Sequence, residues 1–384
     1  MKRTATFVAL GLFAASVPFL IGYGADAGAE DVSPKPESAS TGTLDIGTTE
    51  LLDLDLTKVA QPERVLHYPG SDYVKVHFER LVLLPGDYVT VANPDGTESY
   101  RYESSLESNW ATSITGDTAV VTLHTTKGVA STAVGAVGAQ IDKVARSFTP
   151  EEMAERDDRR PESLCGGDDQ LDAECYRESE PKIYANADPV ARLLINGTTL
   201  CTAFRVGENN RMLTNNHCFD STTTARSTEV WFNYRCPTCG GAGVEQPVKV
   251  RGDKVFATDR TYDFTLFSVD DFNAIEKFGS LKLANRQAKA GEKLYIPQNP
   301  GGAPTQIALN SDVEGGSCRV DDPTFDGYAT DSDVSYHCDT EFGSSGSPVL
   351  SRETHEVIAL HHFGGCPNSG VRSDRLISML NGLL

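Results

Sequence analysis

A histidine, an aspartate and a serine in the second half of the chain have the types and the order needed for nucleophilic chemistry. His217 ends an apolar stretch, Asp263 begins another, and Ser345 lies within a turn of small residues. A serine hydroxyl becomes a nucleophile when an imidazole accepts its proton and a carboxylate orients that imidazole. An aspartate beside an apolar strand is costly to bury unless its charge is used. The three residues together therefore predict acyl transfer through a covalent intermediate.

The turn around Ser345 reads Phe342-Gly343-Ser344-Ser345-Gly346-Ser347-Pro348 and leads into an apolar strand. Small residues let the backbone turn tightly, so that the hydroxyl stays accessible and the N–H groups of Gly343 and Ser345 point at a developing oxyanion. A Gly/Ser loop alone is more often a plain flexible turn. Only Ser345 has Gly-x before it and Gly-x-Pro after it, which favours it over Ser344 and Ser347.

The histidine carries its own signal, because Cys218 follows it directly and a bridge from Cys218 to Cys201 would fix the strand that holds the base. Closing so short a loop is worth about 3 kcal/mol in the chain-entropy model. Asp263 follows His217 by 46 residues, and Ser345 follows Asp263 by 82. The chymotrypsin template has the same His-Asp-Ser order, with separations of about 45 and 93 residues.

Composition places these residues in an exported protein of about two domains. The chain has 384 residues and a formal charge of −20, which argues against a nucleic-acid partner. A basic start, an apolar run over Ala5–Gly22 and small residues after it predict a cleaved secretory signal at residues 1–27. A stable membrane anchor is disfavoured by the short run and by Pro18. All nine cysteines lie between Cys165 and Cys366, which suits an oxidising compartment, and at least one is unpaired.

The pattern of the chain divides it further. Residues 28–150 begin with a flexible leader over Val32–Thr49 and continue as an all-β module, a small sandwich. Residues 151–162 form a charged linker with a processing site at Arg159-Arg160. Residues 163–384 contain many short strands, which are typical of a barrel or sandwich, with a closing helix over Arg375–Leu384.

From about Cys165 to Leu384 the chain resembles the bacterial lysyl endopeptidases and, more distantly, the glutamyl endopeptidases of the V8 type. The segments that carry the resemblance follow one another in order: Thr199–Thr202, Leu213–Cys218, Val230–Tyr234, Asp263–Leu266, Gly343–Pro348, Leu360-His361, Gly364–Cys366 and Arg372–Asp374. Asn215-Asn216 depart from the small residues usual before the histidine, and the stretch around Cys366 is shorter than in that family.

The resemblance implies an all-β fold, a chymotrypsin-like double six-stranded β-barrel protease domain preceded by the sandwich-like module. It implies that Ser345 attacks the peptide carbonyl, His217 acts as the base, Asp263 orients it, and the amides of Gly343 and Ser345 bind the oxyanion. It requires no cofactor and no metal. The disulfides that it implies are Cys201–Cys218, Cys165–Cys366, Cys318–Cys338 and Cys175 with Cys236 or Cys239. The alternative for Cys236-Pro237-Thr238-Cys239, half of a zinc site or a redox pair, has no matching second pair.

Substrate selection has two candidate residues. Asp374 stands where the resemblance to lysyl endopeptidases places the pocket carboxylate, and Asp339 stands six residues before the nucleophile, where trypsins carry theirs. A buried carboxylate at Asp374 would select Lys or Arg. A rival alignment sets Ser369-Gly370-Val371 against the Gly-Val-Tyr segment of trypsins and moves Asp374 out of the pocket. Sequences similar to that at Asp339 also occur in relatives that cleave after Glu, so Asp339 discriminates poorly. The alternative for both is a loop aspartate that caps backbone N–H groups. The extended run containing His361 would pair with the substrate backbone.

These features predict a secreted serine endopeptidase that cleaves proteins or peptides, after Lys or Arg, and is made as a precursor. One alternative is the same enzyme with a preference for Glu or an apolar residue. Another is a non-catalytic binding protein on a protease fold. The N-terminal module either assists folding, regulates activity, or binds protein or carbohydrate.

Overall fold

The computed structural model describes residues 43–57, 62–103, 110–125, 137–156 and 164–384. The predicted signal at residues 1–27, most of the predicted leader and the dibasic site Arg159-Arg160 lie outside these residues. In the part of the chain that the structure describes, no helix is both long and apolar enough to cross a membrane.

Nine strands and one short helix make up the first part of the structure. They are β1 (Leu44–Asp45), β2 (Gly47–Leu56), β3 (Glu63–His67), β4 (Tyr73–Val82), β5 (Tyr88–Ala92), β6 (Ser99–Tyr102), β7 (Ile114–Thr115), β8 (Thr118–His124), β9 (Gly138–Ser147) and α1 (Pro150–Glu155).

Eight of these strands form the sandwich that the sequence predicts. One sheet has the order β2-β9-β4-β7 and the other the order β3-β8-β5-β6. Alternate residues of β8 are buried, as expected for a strand with one solvated face. Side chains of both sheets meet in one apolar core, which includes Val76, Phe78, Val91, Val121 and Ile141.

The remaining strands and helices belong to the second part. They are β10 (Gln170–Asp172), β11 (Val190–Ile195), β12 (Thr199–Arg205), β13 (Met212–Thr214), β14 (Glu229–Phe232), β15 (Val248–Asp259), β16 (Phe264–Val269), β17 (Leu294–Gln298), β18 (Gln306–Ala308), β19 (Asn310–Ser311), β20 (Gly316–Ser317), β21 (Asp333–Tyr336), β22 (Pro348–Ser351), β23 (Val357–Phe363), β24 (Asn368–Arg372), and the helices α2 (Pro181–Ala185), α3 (Thr222–Arg226), α4 (Phe272–Ile275) and α5 (Ser373–Leu380).

The second part consists of one closed barrel and one curved sheet. In the first barrel the order β12-β11-β14-β15-β16-β13 is closed by pairing of β13 with β12, and β1 adds to the outer edge of β12. The second sheet has the order β10-β18-β17-β22-β23-β24-β21. An apolar core that includes Leu213, Leu266, Leu350 and Leu360 joins the two. The predicted chymotrypsin-like all-β fold is confirmed.

Two local predictions differ from the structure in their limits. The leader is not flexible throughout, because Leu44 and Ile46 are buried against Leu200 and Trp231, which orders residues 44–49 as strands. The predicted linker begins as α1, since Thr149 and Glu152 form a capping box with Pro150 in the first turn.

The predicted closing helix is present as α5. It begins two residues earlier than Arg375 and ends at Leu380.

The sandwich is fastened to the first barrel by a buried ion pair. Lys75 of β4 donates to the Glu229 carboxylate of β14, and both side chains are almost fully excluded from solvent. Ser113 donates to the same carboxylate through its backbone N–H at 2.8 Å and its hydroxyl at 2.7 Å, and the Trp231 indole donates at 2.7 Å. Burial would raise the pKa of Glu229, but Lys75 and Lys249 hold it at about 2.

Further contacts surround this pair. Lys249 is fully buried and donates to Glu98 at 2.8 Å and to the Ser113 carbonyl at 2.9 Å. The Tyr73 hydroxyl donates to the carbonyl of Gly197 at 2.7 Å. Gly197 has a φ of +81°, and a Cβ there would lie 3.1 Å from Lys75 Cδ, so this turn needs a glycine. The sandwich and the barrel therefore share an interface of buried, hydrogen-bonded polar groups.

Replacing Lys75 with Met should destabilise the chain by about 3–5 kcal/mol, because the Glu229 charge would stay buried without its closest partner. Chemical denaturation measures the change. The matched control is Lys282→Met, which removes an exposed pair with Glu356 and should cost less than about 1 kcal/mol. Equal losses in the two variants would contradict the importance of the buried pair.

Candidate active site

The Asp263 carboxylate accepts two hydrogen bonds from His217. Its Oδ1 accepts the backbone N–H at 2.9 Å, and its Oδ2 lies 2.7 Å from the ring Nδ1. Asp263 is 2% exposed. Burial would raise its pKa, but the neighbouring histidines His217 and His362 lower it far below the ordinary value. The carboxylate is therefore ionised and fixes the tautomer of the His217 ring, with Nδ1 as the donor.

The backbone around Asp263 is shaped for this contact. Asp263 has a φ of +39°, a left-handed conformation that aspartate tolerates better than most residues, and it directly precedes β16. The Asn215 amide donates to the Asp263 carbonyl at 2.8 Å, and Asn215 is completely buried. Asn215, a departure from the family pattern in the sequence, thus fixes the backbone of the aspartate whose carboxylate binds His217.

A disulfide fixes the histidine from the other side. Cys218, the next residue, is bonded to Cys201 of β12. A ring nitrogen of His217 and the two sulfur atoms all lie within 4.8 Å of one another. These three side chains have the composition of a metal site, but both sulfur atoms are already used in the disulfide and are not thiolate ligands.

The turn that carries Ser345 is anchored to both sheets. Thr202 of β12 donates its N–H to the Ser345 carbonyl at 2.8 Å, and Gly346 donates to the carbonyl of His361 on β23 at 3.0 Å. Gly346 has a φ of +90°, and a Cβ there would lie 2.0 Å from the Thr202 carbonyl oxygen. Only glycine fits this position, and the turn cannot move without breaking both anchors.

The backbone amides of Gly343 and Ser345 have no acceptor among the described residues. The carbonyl of Gly343 is held by the Thr202 hydroxyl at 2.8 Å, and Gly343 has a φ of +94°. Two unpaired N–H groups beside a serine are the donors that an oxyanion needs.

The ring Nε2 of His217 is buried and has no hydrogen-bond partner within the described part of the chain. It is therefore free to accept a proton. In an enzyme without substrate, the serine–histidine bond is often long and tightens only in the complex.

A second histidine, His362, contacts the aspartate and is not among the site residues predicted from the sequence. His362 Nδ1 lies 3.2 Å from Asp263 Oδ2, and its Nε2 lies 2.7 Å from Asp333 Oδ2. Both His362 and Asp333 are fully buried. The sequence signal that could have identified His362 was the pair His361-His362. Consecutive side chains of a strand point to opposite faces, so the two histidines must have different surroundings.

The predicted substrate-binding residues are spread around the second sheet. The Asp339 carboxylate accepts backbone N–H groups from Cys165 at 2.9 Å and from Asp169 at 2.7 Å, and burial raises its pKa to about 6. Asp374 lies in the first turn of α5 and pairs with Arg372 at 2.7 Å. No hydrogen bond or ion pair of the described residues joins either carboxylate to His217, Asp263 or Ser345.

His361 is also enclosed by the protein. It is 3% exposed, and its Nδ1 lies 2.8 Å from the Tyr336 hydroxyl. Burial, His362 and His217 lower the pKa of His361 to about 3, so the ring is neutral. Its backbone N–H donates to Ser347 at 3.0 Å.

The four predicted disulfides are all present: Cys165–Cys366, Cys175–Cys239, Cys201–Cys218 and Cys318–Cys338. The open choice is resolved, because Cys239 pairs with Cys175 and the buried Cys236 is the unpaired one. Cys236 and Cys239 are therefore not a redox pair.

Comparison with known proteins identifies related sequences and a matching domain family. Residues 201–360 match the trypsin-like peptidase domain. The secreted RxLR effector protein 73 of Plasmopara viticola is 30% identical over 325 residues, which cover 80% of this chain and 79% of that protein. The uncharacterized protein y4fB of Sinorhizobium fredii (strain NBRC 101917 / NGR234) is 30% identical over 174 residues, 42% of this chain and 25% of that protein.

Solved structures with a similar fold share little sequence. A Glu endopeptidase solved with MPD is 18% identical with a TM-score of 0.42, and the match covers 56% of this chain and 96% of that one. The serine endoprotease from Yersinia pestis is 11% identical with a TM-score of 0.38, covering 51% and 63%. The chain belongs to the same family as secreted RxLR effector protein 73, and its trypsin-like peptidase domain makes it a serine endopeptidase.

Proposed function

We propose that His217, Asp263 and Ser345 are the catalytic triad of a secreted serine endopeptidase. The observation that carries the proposal is the pair of hydrogen bonds between His217 and Asp263, at 2.7 and 2.9 Å, together with a serine turn that has two unpaired backbone amides. Burying an ionised aspartate costs free energy unless the carboxylate is hydrogen-bonded, and orienting a catalytic imidazole is a use of such a carboxylate.

In the first half of the reaction, Ser345 Oγ attacks the peptide carbonyl carbon while His217 Nε2 accepts the hydroxyl proton. The carbonyl oxygen becomes an oxyanion and receives the N–H groups of Gly343 and Ser345. Collapse of the tetrahedral intermediate breaks the C–N bond, and His217 returns the proton to the leaving amine. Water then hydrolyses the acyl-enzyme by the same steps.

Secretion is supported by three independent features. The N-terminal sequence has the order of a cleaved signal, the described residues contain four disulfides, and the Plasmopara viticola relative is named a secreted effector.

Cleavage after Lys or Arg stays a prediction from the resemblance. Of the two carboxylates on which it depends, Asp374 is paired with Arg372 and Asp339 accepts one backbone N–H on each oxygen. A cationic substrate side chain would have to compete with these partners. Backbone capping by Asp339 agrees with the alternative that the sequence left open.

A precursor with lower activity is supported by the position of β1. Leu44 pairs with Leu200 and Asp45 with Thr199, at the end of β12 that approaches the serine turn. A Cβ built on Gly343 would lie 3.7 Å from Leu200 Cβ. An extended peptide adds to an open strand edge through its backbone. Since β1 takes this edge, it competes with a substrate strand beside the oxyanion site.

Binding of protein or carbohydrate by the sandwich stays a prediction. Four large apolar side chains of the module are exposed, namely Leu51, Val65, Val82 and Leu84. Leu51 and Val65 lie on different sheets, and apolar side chains exposed singly name no ligand.

Replacing Ser345 with Ala should abolish labelling by a fluorophosphonate reagent and lower kcat by about 10⁴-fold or more, because the nucleophile is lost. Ser347→Ala is the matched control: its hydroxyl has no partner, so labelling should persist. Labelling that survives in Ser345→Ala, or an unlabelled wild type, would overturn the proposed function.

Digestion of a mixed protein substrate, followed by sequencing of the products, tests the specificity. Fragments ending in Lys or Arg are expected, and Asp374→Asn should then weaken cleavage at these sites relative to other peptide bonds. Fragments that end only in Glu or in large apolar residues would remove both Asp374 and Asp339 as specificity determinants.

Replacing Leu44 with Asp should raise kcat/KM on a peptide amide several-fold, because a carboxylate cannot be buried against Leu200 and Trp231 without loss of β1 pairing. Leu51→Asp is the matched control, since Leu51 is 84% exposed on β2 and should leave activity unchanged. Unchanged or lower activity in Leu44→Asp, with normal thermal unfolding, would refute the inhibitory position of β1.

A further inference from the structure

His362 is fully buried between two carboxylates. Its Nδ1 lies 3.2 Å from Asp263 Oδ2 and its Nε2 lies 2.7 Å from Asp333 Oδ2. A neutral imidazole has one N–H and one lone pair, so one nitrogen would face a carboxylate oxygen without a proton. Only the imidazolium donates to both. The geometry by itself therefore assigns a positive charge to this ring.

The second carboxylate is held as an acceptor by its own neighbours. Ser332 donates to Asp333 Oδ1 at 2.7 Å, and Ser369 of β24 donates to Oδ2 at 2.7 Å. Asp333 belongs to β21 and His362 to β23, so three strands of the second sheet fix the carboxylate and the ring. Each step from Asp263 through His362 to Asp333 is a hydrogen bond between buried side chains.

The charges around His362 favour its protonated form. Burial would lower its pKa, but Asp333 and Asp263 raise it to about 9. The other titratable groups that face it are His217, the neutral His361 and the Tyr328 ring, 6.0 Å away. Asp263 and Asp333 therefore flank His362, and Asp263 is shared between His362 and His217.

We propose that His362 is a positioning residue of the triad: a permanently charged imidazolium that anchors Asp263 Oδ2 to the second sheet through Asp333. The proposal rests on the proposed function of His217, Asp263 and Ser345. His217 and His362 bind the same oxygen of Asp263, so the charge of His362 opposes a second positive charge on His217. It keeps the catalytic base neutral at a lower pH than Asp263 alone would allow.

The test compares pH profiles of kcat/KM in wild type and His362→Gln. Glutamine keeps hydrogen bonding but removes the charge, so protonation of the triad becomes easier and the acid limb should move up by about one pH unit. The rate at the optimum should fall about tenfold through kcat, with KM little changed, because Asp263 loses one anchor. Asp333→Asn, which removes the partner that stabilises the imidazolium, should move the limb in the same direction.

His337→Gln is the matched control, since His337 also faces a carboxylate, Glu314 at 3.6 Å, but has no contact with the triad among the described residues. Its profile should coincide with that of the wild type. A merely structural role of His362 would lower the rate at every pH without moving the limb. An unmoved acid limb in both His362→Gln and Asp333→Asn, in folded protein, would overturn the proposal.

A second readout does not depend on activity. In Ser345→Ala protein labelled with ¹⁵N-histidine, one ring should keep both nitrogens protonated at pH 8, and its signals should vanish in His362→Gln. A spectrum with only neutral rings at pH 8 would also overturn the proposal. A wild type that labels no serine sinks the proposed function instead, so the two failures are distinguishable.

Discussion

The site depends on one buried carboxylate that must stay ionised. Asp263 is excluded from solvent, so its charge is tolerable only because it receives the backbone and ring N–H groups of His217 and the ring of His362. These bonds in turn require a left-handed backbone at Asp263 and the Asn215 amide on its carbonyl. The strain of that conformation, the burial and the three donors belong together, because each donor removed would leave the buried charge less well compensated.

The two sheets meet at this carboxylate, and each supplies one part of the chemistry. The barrel provides His217, the proposed base, which is fixed by the disulfide between Cys201 and Cys218. The second sheet provides the serine turn, the strand with His362 and the anchor Asp333. The turn itself is held between Thr202 and His361, one residue on each side of the interface. Relative movement of the sheets would therefore break the serine turn and the Asp263 contacts together.

The sequence was sufficient for the elements whose signals are local. Alternating strands, the Gly-Ser turn around Ser345, the histidine next to Cys218 and the aspartate before an apolar strand all lie within short windows, and their order revealed the fold. His362 and Asp333 were not found because they are 29 residues apart and meet only when β21 and β23 pack near each other. Asp339 has a local sequence typical of a pocket residue, yet its partners, Cys165 and Asp169, lie about 170 residues away. The pairing of Cys239 rather than Cys236 was equally non-local.

The same rule of buried charge governs the contact between the sandwich and the barrel. Glu229 lies on a barrel strand and accepts from Trp231 of the same strand, but its other donors, Lys75 and Ser113, come from the sandwich. Cutting the chain between α1 and the barrel would leave these bonds intact, because none of them depends on the linker. Separation would require water to replace Lys75 and Ser113 on Glu229 and to solvate Lys75 at the same time. Proteolysis of the linker by itself breaks none of these bonds, so β1 would leave the edge of β12 beside the serine turn only when the polar interface also separates.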